Sequence, residues 1–186
     1  MSEAAPARAR VMTVSLAGCF GCHMSLLDLD EALLALAPRI EVVRSPLIDI
    51  REWTDCDVAL VEGGLCNSDN VEILREVRRR ARVLVALGAC AVTGGLPAQR
   101  NHLDVRECLR TVYLERPGLI GSTLGRVPDD PELPLPLDQV YPLHAVVRVD
   151  HFLPGCPPSA AVIGAALTAL LEGRTPDPVP GSLRYD

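Results

Sequence analysis

The sequence predicts an α/β fold in which a parallel sheet carries helices on both faces. Three apolar runs, at residues 10–16, 57–61 and 83–87, have the length and composition of buried strands. Longer segments between them place their apolar residues at helical spacing. The resulting order of strands and helices is βαβαβ, which is typical of a parallel sheet.

The composition indicates one globular domain over residues 1–186. The chain is 48% hydrophobic, which is enough to bury a proper core at this length. Its formal net charge of −6 argues against a nucleic-acid partner, and no basic stripe interleaved with aromatic residues is present. The clustered arginines are expected to form a solvated helix end; they are Arg78, Arg79, Arg80 and Arg82.

The seven cysteines point to a reducing compartment. Seven is an odd number, and these cysteines accompany neither a signal peptide nor the short, disulfide-dense format of secreted scaffolds. Residues 1–10 contain no apolar segment and no paired arginines, so we expect a cytoplasmic protein. The apolar segment at residues 160–171 is shorter than the roughly 20 residues that span a bilayer, so no membrane span is expected.

In the first half of the chain, a loose arm over residues 1–9 is expected to precede strands at residues 10–16, 40–43, 57–61 and 83–87. A single leucine-rich helix is predicted from Met24 until Pro38 ends it. Ser68 or Asp69 is the predicted cap of the next helix.

In the second half, a helix is predicted over residues 105–115, followed by a long proline-rich loop over residues 117–142. Such a loop either lies across a partner or is a plain surface loop, and both interpretations stay open. A last strand is predicted at residues 145–149 and a last helix at residues 160–171, with Ser159 as its cap. Because this helix is apolar on nearly every face, we expect another subunit to cover its outer side.

Four of the cysteines follow predicted strands. Cys19 and Cys22 come directly after the first strand, Cys90 follows residues 83–87, and Cys156 follows residues 145–149. The carboxyl ends of parallel strands lie along one edge, where open α/β folds place their sites. The four thiols are therefore expected to converge on a metal or cluster site.

The ligand pattern favours an iron–sulfur cluster. Thiolates suit both zinc and cubane clusters, but structural zinc sites commonly use two short Cys-x-x-Cys pairs, whereas here one pair is joined by two single cysteines. Pro157 directly after Cys156 matches the Cys-Pro ending of cluster motifs. A zinc site, a redox-active Cys19–Cys22 dithiol and inert buried thiols stay open as alternatives.

Three further residues near this edge have two interpretations each. Glu62 either carries protons or binds a partner, or it caps the next helix or pairs with an arginine. Cys66 either lies beside the ligand cysteines without binding the metal group, or it replaces one of them as a ligand. His23 either donates to a cluster sulfur, or it is a histidine that lies on the surface or is satisfied within the core. Cys56 and Cys108 are expected to be buried as small hydrophobic residues.

Four motifs lie at the predicted strand ends. They are Gly18-Cys19-Phe20-Gly21-Cys22-His23, Val61-Glu62-Gly63-Gly64, Gly88-Ala89-Cys90-Ala91 and Leu153-Pro154-Gly155-Cys156-Pro157-Pro158. Together they resemble the small subunit of nickel-iron hydrogenases, above all the soluble bidirectional NAD-reducing type. The cluster subunit of respiratory NADH:quinone oxidoreductase is a second relative, but it has two adjacent cysteines where this chain separates Cys19 and Cys22 by two residues.

The resemblance implies a flavodoxin-like domain of three layers in which Cys19, Cys22, Cys90 and Cys156 bind one 4Fe-4S cluster. It also implies a large subunit that supplies the nickel-iron site, and iron–sulfur and flavin (diaphorase) subunits that reduce NAD with the electrons passed on. The lack of a twin-arginine leader and of a region for further clusters is typical of the cytoplasmic, single-cluster type. Some members are thought to hold FMN on this domain, but the sequence contains no clear phosphate loop, so no flavin residues are predicted.

Overall fold

The computed structural model describes residues 8–115 and 126–176. Its central sheet has five parallel strands in the order β2-β1-β3-β5-β7, which are β1 at Ala9–Ser15, β2 at Ile40–Arg44, β3 at Cys56–Glu62, β5 at Ala81–Leu87 and β7 at His151–Leu153. Two shorter strands pair antiparallel beside it, β4 at Leu65–Asn67 and β6 at Pro136–Tyr141. This order of the five parallel strands is the flavodoxin-like one, so the predicted fold class is confirmed.

Helices cover both faces of the sheet. In the described residues, the α-helices are α1 at Gly21–Leu27, α2 at Glu31–Leu36, α3 at Ser68–Arg80, α4 at Gly88–Thr93, α5 at Val105–Arg110 and α6 at Ala160–Leu171. A 3₁₀ helix at Leu96–His102 follows α4, and a π-helical turn at Thr111–Glu115 extends α5. The predicted helix over residues 105–115 is therefore present.

Three apolar clusters hold the three layers together, and the two larger ones lie on opposite faces of the sheet. In β3, Ala59 and Val61 face α3 and α4, whereas Val58 and Leu60 face α1 and α6. A strand that is buried on both faces needs apolar residues at every position, and this explains the continuous apolar run in the sequence. Burial at about 25 cal/mol per Å² of apolar surface makes these two clusters the main source of stability.

The single helix predicted from Met24 to Pro38 is wrong, because the structure divides it into α1 and α2. Asp30 has a φ of +47° at the break, where helical backbone cannot continue. Leu29 lies against Gly164 of α6, at which a Cβ atom would come within 2.6 Å of Leu29 Cδ2. Leu29 packs into the space that Gly164 leaves open, at the point where the helix breaks. A tertiary contact therefore overrides the helical periodicity of the sequence.

The strand predicted at residues 145–149 is also wrong. A 3₁₀ turn occupies Leu143–Ala145, and pairing with β5 begins only at His151, which lies beside Val85. Just before this point, Asp150 forms two hydrogen bonds with Leu84: its N–H donates to the Leu84 carbonyl at 2.9 Å, and its side chain accepts from the Leu84 N–H at 2.8 Å. The valines before Asp150 pack on the core as an irregular segment, so their β-propensity is overridden.

Smaller differences concern a cap and the long loop. Asn67, not Ser68 or Asp69, caps α3, and its Oδ1 accepts from the Asn70 N–H at 2.9 Å. The predicted loop at residues 117–142 contains β6 in its second part, while residues 117–125, like residues 1–7 of the predicted arm, lie outside the described part of the chain.

The cap predicted for α6 is confirmed, since Oγ of Ser159 accepts from the Val162 N–H at 3.4 Å. One face of α6 packs on the sheet through Ile163, Ala166 and Leu167, and its exposed positions carry only the small residues Ala161 and Ala165. Among the helices of residues 8–115 and 126–176, none has both the length and the apolar character needed to cross a bilayer.

Candidate metal centre

The candidate site lies at the edge where the central strands end. The sheet register places Ser15 of β1 beside Glu62 of β3, Glu62 beside Leu87 of β5, and Leu87 beside Leu153 of β7. The last residues of four strands are therefore level with one another. The segments that follow β1, β5 and β7 carry the four predicted cysteine ligands and leave the sheet from this common edge.

One pocket at this edge brings the four cysteines together. It is lined by Cys19, Cys22, Cys90 and Cys156, by Glu62, and by the small residues Gly18, Gly21, Gly63, Ala89, Gly155 and Pro157. Cys19 and Cys156 are exposed, whereas Cys22 and Cys90 are half-buried. The sequence-predicted convergence of four thiols from three distant segments is thus present in the structure.

Glycine at two positions makes room for the thiols. Gly88 has a φ of +84°, and a Cβ atom there would overlap Sγ of Cys22. Gly95 has a φ of +50°, and its Cβ atom would lie 2.9 Å from Sγ of Cys90. A larger residue at either position would strain the backbone and displace a sulfur. These two glycines therefore make room for two ligand sulfurs from behind, although neither lines the pocket itself.

Free thiolates are unfavourable at the two half-buried cysteines of this pocket, Cys22 and Cys90. Burial, followed by the charge of Glu62, raises the pKa of Cys22. Burial also raises the pKa of Cys90, although the Leu96 N–H donates to its sulfur and opposes that shift. A bound cationic centre removes the penalty, because a coordinating thiol is deprotonated outright. The donor set therefore fits a metal group.

The spacing of the side chains bears on which metal group fits. Within the described ranges, no three His, Cys, Asp or Glu side chains come close enough together to hold a single metal ion. A tetrahedral zinc site needs its four sulfurs about 2.3 Å from one point. The preference for a cluster over one zinc ion rests on the spacing of the thiols along the chain, which is one Cys-x-x-Cys pair with two single cysteines.

Glu62 connects the pocket to the interior of the domain. It is the last residue of β3, with 2% of its surface exposed, and its Oε2 accepts a hydrogen bond from the Cys22 N–H at 3.0 Å. Its Oε1 lies 2.7 Å from Nδ1 of His23. Burial acts to raise the pKa of Glu62, but the hydrogen bond and charge of His23 and the hydrogen bonds from Ser15 and Cys22 together outweigh it. The pKa is therefore lowered, and the carboxylate accepts from Nδ1–H. Glu62 therefore caps the first turn of α1, and it pairs with a histidine where an arginine was the predicted alternative.

His23 continues this contact into the core. Its Nε2 lies 2.9 Å from Oγ1 of Thr13, and that oxygen lies 2.7 Å from Oγ of Ser45. The ring of Phe20 stacks on the imidazole with 4.6 Å between the ring centroids. Both nitrogens of His23 have partners, so it is a histidine satisfied within the core and neither nitrogen is free to donate to a sulfur.

Sequence reasoning missed Thr13 and Ser45. Each is a buried polar residue in or just after an apolar strand, Thr13 in β1 and Ser45 at the end of β2. A buried hydroxyl almost always has a hydrogen-bond partner, so an isolated polar residue within an apolar run is the signal that could have indicated this network.

The remaining cysteines lie elsewhere. Cys66 is on β4 outside the lining of the pocket, and its thiol donates to Oδ1 of Asn70 at 3.3 Å. Cys56 is buried at the start of β3, at the opposite end of the sheet, as predicted. Cys108 on α5 is only half-buried, so it is not the core residue that the sequence predicted.

Comparison with known proteins gives a family match over most of the chain. The family described as the 20 kDa subunit of NADH ubiquinone oxidoreductase matches residues 19–170. The matched region begins at Cys19 and includes Cys22, Cys90 and Cys156, so it contains every thiol that lines the pocket.

Two similar curated proteins are components of hydrogenases. The chain is 40% identical over 179 residues to the NAD-reducing hydrogenase HoxS subunit delta of Cupriavidus necator, covering 95% of this chain and 85% of that protein. It is 39% identical over 171 residues to a component of the vhu F420-non-reducing hydrogenase of Methanococcus voltae, covering 91% of this chain. The chain spans only 58% of the length of this second relative.

A solved structure gives the same indication. A chain from the crystal structure of an NAD+-reducing [NiFe]-hydrogenase in the H2-reduced state is 56% identical to this one and superposes with a TM-score of 0.91. The superposition covers 97% of this chain and 100% of that chain.

Proposed function

The chain belongs to the family of NADH ubiquinone oxidoreductase 20 kDa subunits and hydrogenase small subunits, and we propose that it is the electron-transfer small subunit of an NAD-reducing nickel-iron hydrogenase. In this role it passes electrons between the nickel-iron site of a large subunit and the iron–sulfur and flavin subunits that exchange them with NAD. The assembly catalyses H2 + NAD+ = H+ + NADH in the cytoplasm, and this chain catalyses no step alone.

The observation that supports this proposal is the single pocket lined by four thiols. Cys19, Cys22, Cys90 and Cys156 would hold one 4Fe-4S cluster there. Such a cluster takes up and releases one electron at a time. The chain's own contribution is a set of four thiols placed by three strand ends, with bare glycine backbone at Gly88 and Gly95 against two of the sulfurs.

The open side of the pocket supports a partner there. Cys19 and Cys156 are exposed, and electron transfer requires the donor to come close. Three large apolar side chains near the ligands in sequence are exposed as well: Met24 at 51%, Leu96 at 64% and Phe152 at 44%. We assign the exposed side of the pocket, at Cys19 and Cys156, to the hydrogenase large subunit.

Two narrower points follow from the residues. The family name also fits a quinone oxidoreductase subunit, but the two-residue separation of Cys19 and Cys22 favours the hydrogenase assignment. No FMN is assigned to this chain, because no phosphate-binding loop identifies residues for it. Glu62 and His23 contact the ligand-bearing turn and each other, and Cys66 is assigned no role in the site.

The test is iron and sulfide analysis with EPR on the anaerobically purified complex, co-expressed with its large and diaphorase subunits. We expect about four irons and four sulfides attributable to this chain, with a reducible signal. Cys90→Ser and Cys156→Ser should each remove that signal and hydrogen-dependent NAD reduction. Cys108→Ser, at a half-buried helix position outside the pocket, is the matched control and should retain both.

The alternatives make different predictions. A zinc site would give stoichiometric zinc and no reducible signal. A dithiol enzyme would tolerate Cys90→Ser and Cys156→Ser but not Cys19→Ser. Preserved iron content in either Cys90→Ser or Cys156→Ser would contradict the four-thiol assignment.

A further inference from the structure

A row of hydrogen bonds leads from the end of β2 to the wall of the cysteine pocket. Oγ of Ser45 lies 2.7 Å from Oγ1 of Thr13, Oγ1 of Thr13 lies 2.9 Å from Nε2 of His23, and Nδ1 of His23 lies 2.7 Å from Oε1 of Glu62. The other carboxylate oxygen of Glu62 accepts from the N–H of Cys22 at 3.0 Å. We refer to Ser45, Thr13, His23 and Glu62 as the polar row.

The polar row is almost fully enclosed. The exposed fractions of its members are 4% for Ser45, 5% for Thr13, 1% for His23 and 2% for Glu62. Thr13 lies on β1 and Glu62 on β3, Ser45 directly follows β2, and His23 comes from α1. Because each side chain is held on both sides, the carboxylate has one well-defined position relative to the pocket.

That carboxylate is the charge nearest to the site. Of the described residues that line the pocket, Glu62 alone carries a formal charge. A fixed negative charge beside a redox group opposes the arrival of an electron, and it acts more strongly where water is excluded. Net charge and hydrogen bonding around a cluster are among the properties that set its reduction potential.

We propose that Glu62, held in place through His23 by Thr13, lowers the reduction potential of the cluster group bound by the four thiols, and that Thr13 is a positioning residue for this effect. The inference rests on the proposed function, since it concerns the group held at Cys19, Cys22, Cys90 and Cys156. Thr13 does not contact the pocket, so its influence passes through His23 and Glu62.

The experiment is an EPR-monitored redox titration of the co-expressed complex. Glu62→Gln removes the charge and retains an acceptor for the Cys22 N–H, so the midpoint potential should move to a more positive value. Thr13→Val keeps the shape of the side chain but removes its hydroxyl, and it should produce a smaller shift in the same direction. Thr13→Ser restores the hydroxyl and should return the wild-type potential.

Two comparisons separate positioning from a general structural effect. In the Glu62→Gln background, Thr13→Val should add no further shift, because its influence then has no charge to act on. Glu41→Gln removes an exposed carboxylate near the start of β2, at the opposite end of the sheet, and should leave the potential unchanged. If Thr13→Val does not assemble, Ser45→Ala removes the preceding member of the polar row and carries the same prediction.

The proposal is overturned if Glu62→Gln leaves the potential unchanged or lowers it. The positioning role of Thr13 is contradicted if Thr13→Val has the wild-type potential. It is also contradicted if Thr13→Val and Thr13→Ser shift the potential equally. Failure of the proposed function looks different, since the wild-type complex would then hold no reducible cluster on this chain and no titration curve could be recorded.

Discussion

Nδ1 of His23 lies 2.7 Å from Oε1 of Glu62, although the two residues are 39 positions apart in the chain. Their side chains are only 1% and 3% exposed, so the contact lies within the core beside the cysteine pocket. It joins the first turn of α1, which carries Cys22, to the carboxyl end of β3. The cysteine-bearing turn is therefore fastened to the sheet by a buried polar pair.

Breaking this pair should destabilise the region around it. Glu62→Leu leaves His23 and the Cys22 N–H buried without an acceptor, at a cost of about 3 kcal/mol. Amide hydrogen exchange of α1 in the assembled complex should then accelerate by roughly a hundredfold. Glu172→Leu removes the exposed ion pair with Arg174 and should change exchange little. Unchanged protection of α1 in Glu62→Leu would contradict the structural role of the pair.

A methyl group at Gly88 should prevent the four-cysteine site from retaining iron. Gly88→Ala places a Cβ atom against Sγ of Cys22 at a φ of +84°, so we expect most of the iron to be lost during purification. Gly173→Ala is a matched control, because its φ is +70° but nothing lies within 4 Å of the added atom. Both variants bear the cost of positive φ, about 1 kcal/mol. Only Gly88→Ala should lose iron, and full iron content in this variant would be the contrary result.

Iron retention should depend on pH. Burial and then the charge of Glu62 raise the pKa of Cys22, so this thiol binds a proton strongly in the absence of metal. Protons therefore compete with iron for the sulfur, and the competition grows as the pH falls. We expect iron transfer from the complex to a chelator to be faster at pH 6 than at pH 8, by up to about tenfold per unit for each proton taken up. A rate that does not vary with pH would contradict this.

Asp150 should stabilise the fold through two separable contacts. It accepts a hydrogen bond from the Leu84 N–H at 2.8 Å and pairs with Arg78 at 2.5 Å. Asp150→Ala removes both contacts and should cost about 2 kcal/mol, whereas Asp150→Asn keeps an acceptor for Leu84 and should cost about half as much. Thermal inactivation of the complex gives the order of the variants. Equal losses in both would assign the whole effect to the ion pair.

The pKa of Asp150 gives this contribution a pH dependence. Burial acts to raise that pKa, but the hydrogen bonds from Arg78 and the Leu84 N–H, with the charges of Arg78 and Arg148, together outweigh it. The pKa therefore lies below the ordinary value of 3.8. A depressed pKa stabilises the fold above the ordinary value, and the contribution is lost as the pH falls through the lowered one. The difference between wild type and Asp150→Asn should therefore be constant near neutral pH and shrink below about pH 4. A difference that persists at still lower pH would argue against this assignment.

Much of the site could be predicted because its signals are local. A cysteine a few residues beyond an apolar run lies at the carboxyl edge of a parallel sheet whatever the details of packing, and this places Cys19, Cys22 and Cys90 correctly. Cys156 was placed at the right edge although its strand was predicted at residues 145–149 and lies at His151–Leu153. The predicted edge for Cys156 is unaffected by this error, because a strand at either position precedes Cys156 and ends at the same edge of the sheet.

By itself, the sequence determined the class of the fold and the edge at which four thiols meet, because apolar periodicity and strand–cysteine spacing act over short stretches of chain. Tertiary structure alone decided the break at Asp30, the end of β7 and the polar row from Ser45 to Glu62. Those features depend on partners distant in sequence, such as Gly164 beneath Leu29 and His23 beside Glu62. A buried polar group must find a partner, but only the folded chain determines which one it finds.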